Sequence, residues 1–476
     1  MKQFIRAIIL LTSLCSVYSF ADLPTFHSEI GSVALAQSRT WNKPDYSDQK
    51  DALGYQIGTF SVPAGMEERV SFWIDIYTKF TSSQGLLHDS QYVHLVYEKL
   101  DFADIDSNQV MTGYQKHREK EKRIKAAKKK VIQALHRLQK YNTPAGLEGD
   151  DLRYWYMFAK VDEPKKFLNA TSNKRLRFQL GQRDHFINGI FQSGRYLREM
   201  ELVFKEMQLP KELTRLPFVE SSFNVKARSK VGASGIWQFM RYTARPYLKI
   251  NQSVDERNDP MAATRAAAKL LRNNYMMLED WPLAVTGYNH GPAGVRRLVR
   301  KFMTKNLVEL LDVRKGRFGF ASANFYASFL AALEVEKNAD LHFGHVYWDL
   351  PIPHEPIRLT KNISHKQLID WFDGDEKRAV EYNPHINHSV WKGRVSIATK
   401  SLIYVPDEYH KMALSELKEI KDVQLFHGTT YKVSQGDTLD EIAKNFGVRL
   451  NHLLAANEGI NPRRLQVGQQ IYIPSN

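Results

Sequence analysis

Residues 216–240 read LPFVESSFNVKARSKVGASGIWQFM, and the fold is decided on this stretch. Glu220 stands among Leu216, Pro217, Phe218, Val219 and Phe223. Loss of water in such surroundings raises a carboxyl pKa and keeps the proton on near neutrality, as a general acid requires. Gly232 and Gly235 allow a tight turn and close approach of backbone to a ligand. Taken bare, the stretch also allows a plainer reading, a glutamate at a helix end paired with Arg215.

Two segments downstream bear on that choice. VDERNDPMAATRAAAKLL (254–271) opens a helix with Asp259 as N-cap and Pro260 at the first helical position, and its alanines suit close helix packing. WPLAVTGYNHGPAGVRRLV (281–299) carries Tyr288-Asn289. With 216–240, in order and at matching spacing, these resemble the lysozyme-like lytic transglycosylases of the membrane-bound lytic murein transglycosylase D type. The resemblance covers about 176–345 and implies a mainly α fold with a lysozyme-like (goose-type, soluble lytic transglycosylase-like) catalytic domain.

What the resemblance implies can be carried over position by position. Glu220 matches the catalytic acid and base. Ser229 matches a contact to the N-acetyl sugar beside the scissile bond, and Gln238 and Met240 match groove-lining residues. Tyr288 and Asn289 match the Tyr-Asn pair whose hydroxyl reaches toward the catalytic carboxyl. Where the family has a later Tyr-Val-Pro segment, this chain has FGFASANFYASFL (318–330), and Tyr326 is expected to replace that tyrosine. Trp237 is expected in the core.

Two-carboxylate glycosidases need a second acid within about 5–10 Å. No second acid lies in the motif around Glu220, and Glu256 and Asp259 read as helix-start residues. The reaction that the resemblance implies is cleavage between N-acetylmuramic acid and N-acetylglucosamine with a 1,6-anhydro product, and a single carboxyl acting twice can serve it. No metal or other cofactor is expected. A hydrolytic muramidase and an inactive wall-binding scaffold remain alternatives.

The last segment, 429–476, reads YKVSQGDTL (431–439), then Ile442, Phe446, Leu453, Asn457 and LQVGQQIYIP (465–474). It resembles a lysin motif (LysM), a small α+β strand–helix–helix–strand module. The implied glycan contacts are Gly436, Asp437, Thr438 and Leu439 in the first loop, and Asn457, Ile460 and Asn461 in the last. Residues 346–410 keep that rhythm and an Asn, Asn383, without the Gly-Asp-Thr-Leu turn; they read as a degenerate copy, more a brace than a binder. Residues 411–428 read as a linker.

At the other end, Lys2 and Arg6 precede the apolar run 7–14, and Ser19-Phe20-Ala21 places small residues where signal peptidase cuts. Residues 1–21 are thus expected to be a signal peptide, and the compartment the periplasm of a Gram-negative bacterium. Leu14 before Cys15, the sole cysteine, disfavours a lipid anchor. Residues 22–175 are expected to be mostly helical. Within them 107–140 forms a basic helix with Val131, Leu135 and Leu138 on its buried stripe. With 43% hydrophobic residues the chain is a folded protein, and its net charge of +15 implies a polyanionic surrounding. The expected partner is the glycan strand of peptidoglycan, not nucleic acid, because no aromatic residues interleave with the basic face. Peripheral membrane association stays open.

Overall fold

The computed structural model describes residues 60–312, 318–352, 354–423, 428–457, 460–462 and 465–474. The expected signal peptide, with Cys15, lies outside the described residues. Among them no helix is long and apolar enough to cross a membrane. The chain forms two compact units: one runs to Asn224 and adds Arg228–Val231 and Ala267–Leu350, the other holds Val225–Ala227, Gly232–Ala266 and Pro351 onward.

The first unit is mostly helical. Its elements include α1 (Glu67–Thr78), α2 (Gly113–Leu138), α3 (Arg183–Ser193), α4 (Leu197–Glu206) and α5 (Leu216–Glu220). The helix α6 (Pro260–Leu278) contributes its residues from Ala267 on, followed by α7 (Trp281–His290) and α8 (Phe320–Lys337). Helix α8 is the hub. It is buried almost all round from Ser322 to Glu336, as a helix apolar on every face must be, and it packs on α1, α5 and α7.

The long basic helix is present but starts at Gly113, because Thr112 closes a capping box with Gln115 there. Val131, Leu135 and Leu138 are buried as expected, with Ala134 beside them. Several of its cations pair with carboxylates: Arg123 with Asp104, Lys130 with Asp150, Arg137 with Asp151. Such a face is solvated and partly self-neutralised.

The expectation of a mostly helical region ending at residue 175 needs correcting. Strand β1 (Gln84–Asp89) is central in a three-stranded antiparallel sheet, flanked by β2 (Val96–Asp101) and β3 (Leu176–Leu180). Gly85 faces Leu180 and Asp89 faces Leu176, so the sheet crosses the expected boundary. Strands this short have no strong local period, and only the long-range partner makes them strands.

The second unit contains two strand–helix–helix–strand modules. In the first, β4 (Glu355–Arg358) pairs with β5 (Leu402–Val405) around α9 (His365–Asp370) and α10 (Glu376–Tyr382). In the second, β6 (Gly428–Lys432) pairs with β7 (Gln470–Pro474) around α11 (Leu439–Asn445) and α12 (Leu450–Ala456). Each has its own apolar core, around Ile363, Leu368, Trp371 and Ile403 in one and Val433, Ile442, Leu453 and Ile471 in the other.

The two modules share their polar fastenings. Ser364 and Gln367 form a capping box at the start of α9, as Thr438 and Glu441 do at α11. Asn383 donates to the carbonyls of Ala379 (3.1 Å) and Tyr404 (2.8 Å) and accepts from Tyr404 N (2.7 Å). Asn457 donates to Leu453 O (2.7 Å) and Tyr472 O (2.6 Å) and accepts from Tyr472 N (2.7 Å). One asparagine thus ties the second helix to the last strand in both. The segment 355–405 thus shares element order and asparagine clasp with the C-terminal module.

Candidate active site

Glu220 ends α5, a five-residue helix that opens with Leu216-Pro217. The chain then reverses through Ser222 (φ 50°) and Phe223 (φ 57°), two consecutive non-glycine residues in the left-handed region. A bulky residue there is strained, and such strain gathers at functional sites. The turn is over-determined by its packing. Phe218 stacks on Phe186 of α3 at 4.8 Å and meets the edge of Phe223 at 4.7 Å. Phe223 N donates to Pro217 O at 3.2 Å. Gly189 on α3 admits the turn: a Cβ there would lie 3.1 Å from Ser222 O and 3.3 Å from the Phe218 ring.

Arg215, the residue before α5, does not pair with Glu220, so the plainer reading of the glutamate fails. Its guanidinium instead pairs with Glu201 of α4 and, at 3.5 Å, with Glu336 of α8. Arg215 and Glu336 are both fully buried. Removing one member of a buried ion cluster strands the other charges at a cost of about 3–5 kcal/mol. The start of α5 is thereby fixed to two other helices.

Glu220 is half-buried as a residue, and the protein surrounding its carboxyl removes enough water to push its pKa up to about 8. Burial alone causes that rise; among the described residues no neighbouring carboxylate or cation shifts it. Tyr288, on the last turns of α7, has its hydroxyl pKa raised by burial and then by the charge of Glu220, so the phenol lies within electrostatic reach of that carboxyl.

Asn289 is fixed by a residue that motif reasoning missed. The Ser322 hydroxyl of α8 donates to Asn289 Oδ1 at 2.9 Å, and His290 Nδ1 lies 3.3 Å from the same Oγ. The Tyr288 ring lies nearly parallel to Phe325, with centroids 6.3 Å apart and planes 10° apart. The residue of α8 beside Tyr288 is therefore Phe325, not Tyr326. Tyr326 is 1% exposed, its ring packs toward Phe329, and its hydroxyl has no hydrogen-bond partner among the described residues. A residue sealed in the core cannot line a glycan groove, so that expectation is corrected. The available signal was helical spacing: Phe325 stands three residues after Ser322, one helical turn on.

Ser229 is half-buried in the loop after α5. Gln238 and Met240 lie in the second unit, on a turn closed by the Ser234–Phe239 bridge, and both are half-buried. Gln238 takes a left-handed conformation (φ 47°), and its Nε2 donates to Gly235 O (2.8 Å) and Ala227 O (3.2 Å). Gly235 (φ 78°) could carry no side chain, since a Cβ would fall 1.8 Å from Arg257 O. Trp237 is core, as expected, with its Nε1 on Thr264 Oγ1 at 2.9 Å. Asp259 caps α6 through Met261 N and Ala262 N, both at 2.9 Å, and Glu256 accepts from Lys249 N at 2.7 Å.

In the C-terminal module four of the seven expected contacts hold the fold. Leu439 is core, and Asn457 is the clasp described above. Asp437 accepts from Tyr431 Oη (2.8 Å) and Ser434 N (2.7 Å), and Thr438 caps α11. Leu439 and Asn457 therefore leave the contact set, because both side chains point into the module. Gly436 and Asn461 are exposed, and Ile460 is half-buried against the core.

The chain has relatives among known proteins. The transglycosylase SLT domain family matches residues 202–310, and the LysM domain family matches 431–474. Membrane-bound lytic murein transglycosylase D of Escherichia coli, from strain K12 and from an O6:H1 strain, is 26% identical over 286 residues, 56% of this chain and 61% of the relative. The chain thus spans about three-fifths of the length of these curated relatives. A solved structure of an inactive mutant of the lytic transglycosylase Slt from Pseudomonas aeruginosa is 20% identical, covering 32% of this chain and 26% of that one, with a TM-score of 0.25. The chain therefore carries a transglycosylase SLT domain followed by a LysM domain, and is related in sequence to membrane-bound lytic murein transglycosylase D.

Proposed function

We propose that this protein is a lytic transglycosylase of peptidoglycan, and that Glu220 is its single acid and base. The observation that carries the reading is the Glu220 carboxyl itself, pushed up to about 8 by burial without help from a second carboxylate. At pH 7 such a group holds its proton and can give it to the oxygen linking N-acetylmuramic acid to N-acetylglucosamine. Once ionised it is a correspondingly strong base. It then takes the proton of the muramoyl C6 hydroxyl as that oxygen bonds to C1, and a 1,6-anhydro end results.

Tyr288, within electrostatic reach of the carboxyl, is read as its partner, and Asn289, its oxygen held by Ser322, offers an amide donor. Gln238, with Nε2 committed to backbone, has Oε1 available for a sugar hydroxyl or amide. Ser229 and Met240 are read as further glycan contacts. The LysM domain supplies a second hold on the glycan through Gly436, Ile460 and Asn461. The leader-like residues 1–21, the charge of +15 and the relatives' membrane-bound name fit an exported protein of the cell envelope, working in the periplasm.

Digestion of purified sacculi followed by mass spectrometry tests the reading. Anhydromuramic ends are the expected products. Reducing ends would make the protein a muramidase, and intact sacculi would make it a binder.

A further inference from the structure

The C-terminal LysM carries Asn457-Glu-Gly-Ile-Asn461 after its second helix, and the module at 355–405 carries Asn383-Pro-His-Ile-Asn387 at the same place. The two clasp asparagines, Asn457 and Asn383, set the register. Ile386 therefore stands where Ile460 does, and Asn387 where Asn461 does. In the C-terminal copy Asn461 is exposed. In the first copy this strip is covered, and what covers it is the chain itself.

The covering segment is 251–255. Ile386 bridges to Val254, Asp255 N donates to His385 O at 2.8 Å, and Asn387 N donates to Ser253 O at 2.9 Å. The Asn387 amide donates to both Asn251 O (2.9 Å) and Gln252 O (3.0 Å), and Ser389 Oγ donates to Gln252 O (3.1 Å). Val254 is fully buried within the module's own core. Backbone atoms of 251–255 thus take the hydrogen bonds that the same strip would otherwise offer to a ligand.

The grip is passed on. Asp255 holds Arg257 through Nε (2.9 Å) and Nη2 (2.6 Å), and both residues are buried. Arg257 Nη1 donates to Gly232 O (2.7 Å) and Phe239 O (3.0 Å), fastening both ends of the turn that bears Gln238 and adjoins Met240. A second strut runs from Tyr404 Oη of β5 to Asp259 Oδ2 at 2.6 Å.

We propose that the module at 355–405 is a lysin-motif fold whose ligand strip has been turned inward, and that it positions the 232–240 turn instead of binding glycan. Asn387 is its principal positioning residue. The catalytic half of this inference rests on the reading of Gln238 and Met240 as glycan contacts; the mechanical half does not.

Asn387→Ala in the full chain separates the two. Loss of two carbonyl bonds predicts amide exchange about tenfold faster at Ser234 and Gln238, whose N–H groups bond within the turn, to Phe239 O and Gly235 O. It also predicts a KM for soluble glycan fragments raised about fivefold, with kcat within about twofold and sacculus pelleting unchanged. Ser389→Ala, a milder cut of the same contact, should move all these readouts the same way by less. Asn461→Ala should instead weaken sacculus pelleting without speeding exchange at Ser234 or Gln238.

Faster exchange confined to 251–255 would overturn the proposal. So would loss of pelleting in Asn387→Ala with turnover intact, since the strip would then be a glycan reader. If the unaltered protein releases no anhydro ends, the functional reading fails, and the exchange result still decides whether the module is a brace.

Discussion

Ser322 donates its hydroxyl to Asn289 Oδ1 at 2.9 Å, across from α8 to the end of α7. The bond fixes which face of the amide the site receives: the oxygen is taken, and the Nδ2 donor remains. His290, 3.3 Å from the same hydroxyl, orients the serine in turn. Ser322→Ala frees the amide to flip. Turnover of glycan should fall about tenfold while the melting temperature shifts by no more than about 2 °C, with Ser322→Thr restoring most of the rate. Full activity in the alanine variant would show that Asn289 needs no orientation.

The pH dependence follows from the sign of the Glu220 shift. Its pKa rises from 4.5 to about 8 on folding, so the working acid form is lost as pH climbs through 8, and kcat/KM should decline there. The same shift bears on stability. A carboxyl raised in the folded state is harmless below the unfolded pKa and costs progressively more as pH rises from 4.5 toward 8. Glu220→Gln, although inactive, should therefore melt higher than the parent at pH 8, by about 2 kcal/mol after allowing for partial exposure, and equally at pH 4. Equal melting at both values would place the carboxyl in water.

The asparagine clasps can be compared directly. Asn383 is fully buried, and Asn383→Ala leaves the Tyr404 peptide group without partners, at about 2–4 kcal/mol. Asn457→Ala makes the same cut in the LysM domain. Chemical denaturation should register the first as a loss of global stability. The second should appear as local unfolding of the C-terminal module, seen as fast exchange at Tyr472 and weaker sacculus retention.

Tyr326 supplies a control. Its hydroxyl is buried with no hydrogen-bond partner among the described residues, so Tyr326→Phe removes an unsatisfied polar group. Thermal melting should show a gain of about 1 kcal/mol, and glycan turnover should be unchanged. Phe325→Ala, one residue away, should lower turnover by removing the ring against Tyr288. A turnover defect in Tyr326→Phe would return that residue to the groove.

Much of this protein is legible as text. The 216–240 stretch announces the candidate site because its chemistry is local: a glutamate in apolar company, then glycines and a tryptophan in fixed order. The cap at Asp259 and the stripe Val131, Leu135, Leu138 are local too. What escaped the reading is long-range. Strands β1 and β3 find each other only through folding, Ser322 meets Asn289 only because α8 crosses α7, and Arg215 finds Glu336 on a helix much later in the chain. The error at Tyr326 has the same source, because adjacent helix positions point about 100° apart and only the packing tells which faces the site. Asn457 misled for a different reason: a side chain that closes a loop and one that grips a sugar look alike in sequence.

The position of α8 has a practical consequence for anyone cutting this protein into pieces. The stretch matching the SLT domain family stops at residue 310, ten residues short of Phe320, yet the helix that begins there supplies the floor beneath Tyr288, the tether for Asn289 and the counter-charge for Arg215. Helix α1, which packs along it, starts at Glu67, far ahead of residue 202. A fragment trimmed to the matched segment would keep the 216–240, 254–271 and 281–299 stretches and lose the scaffold that gives them their geometry. The smallest piece worth expressing for enzymology begins before Glu67 and continues past Lys337.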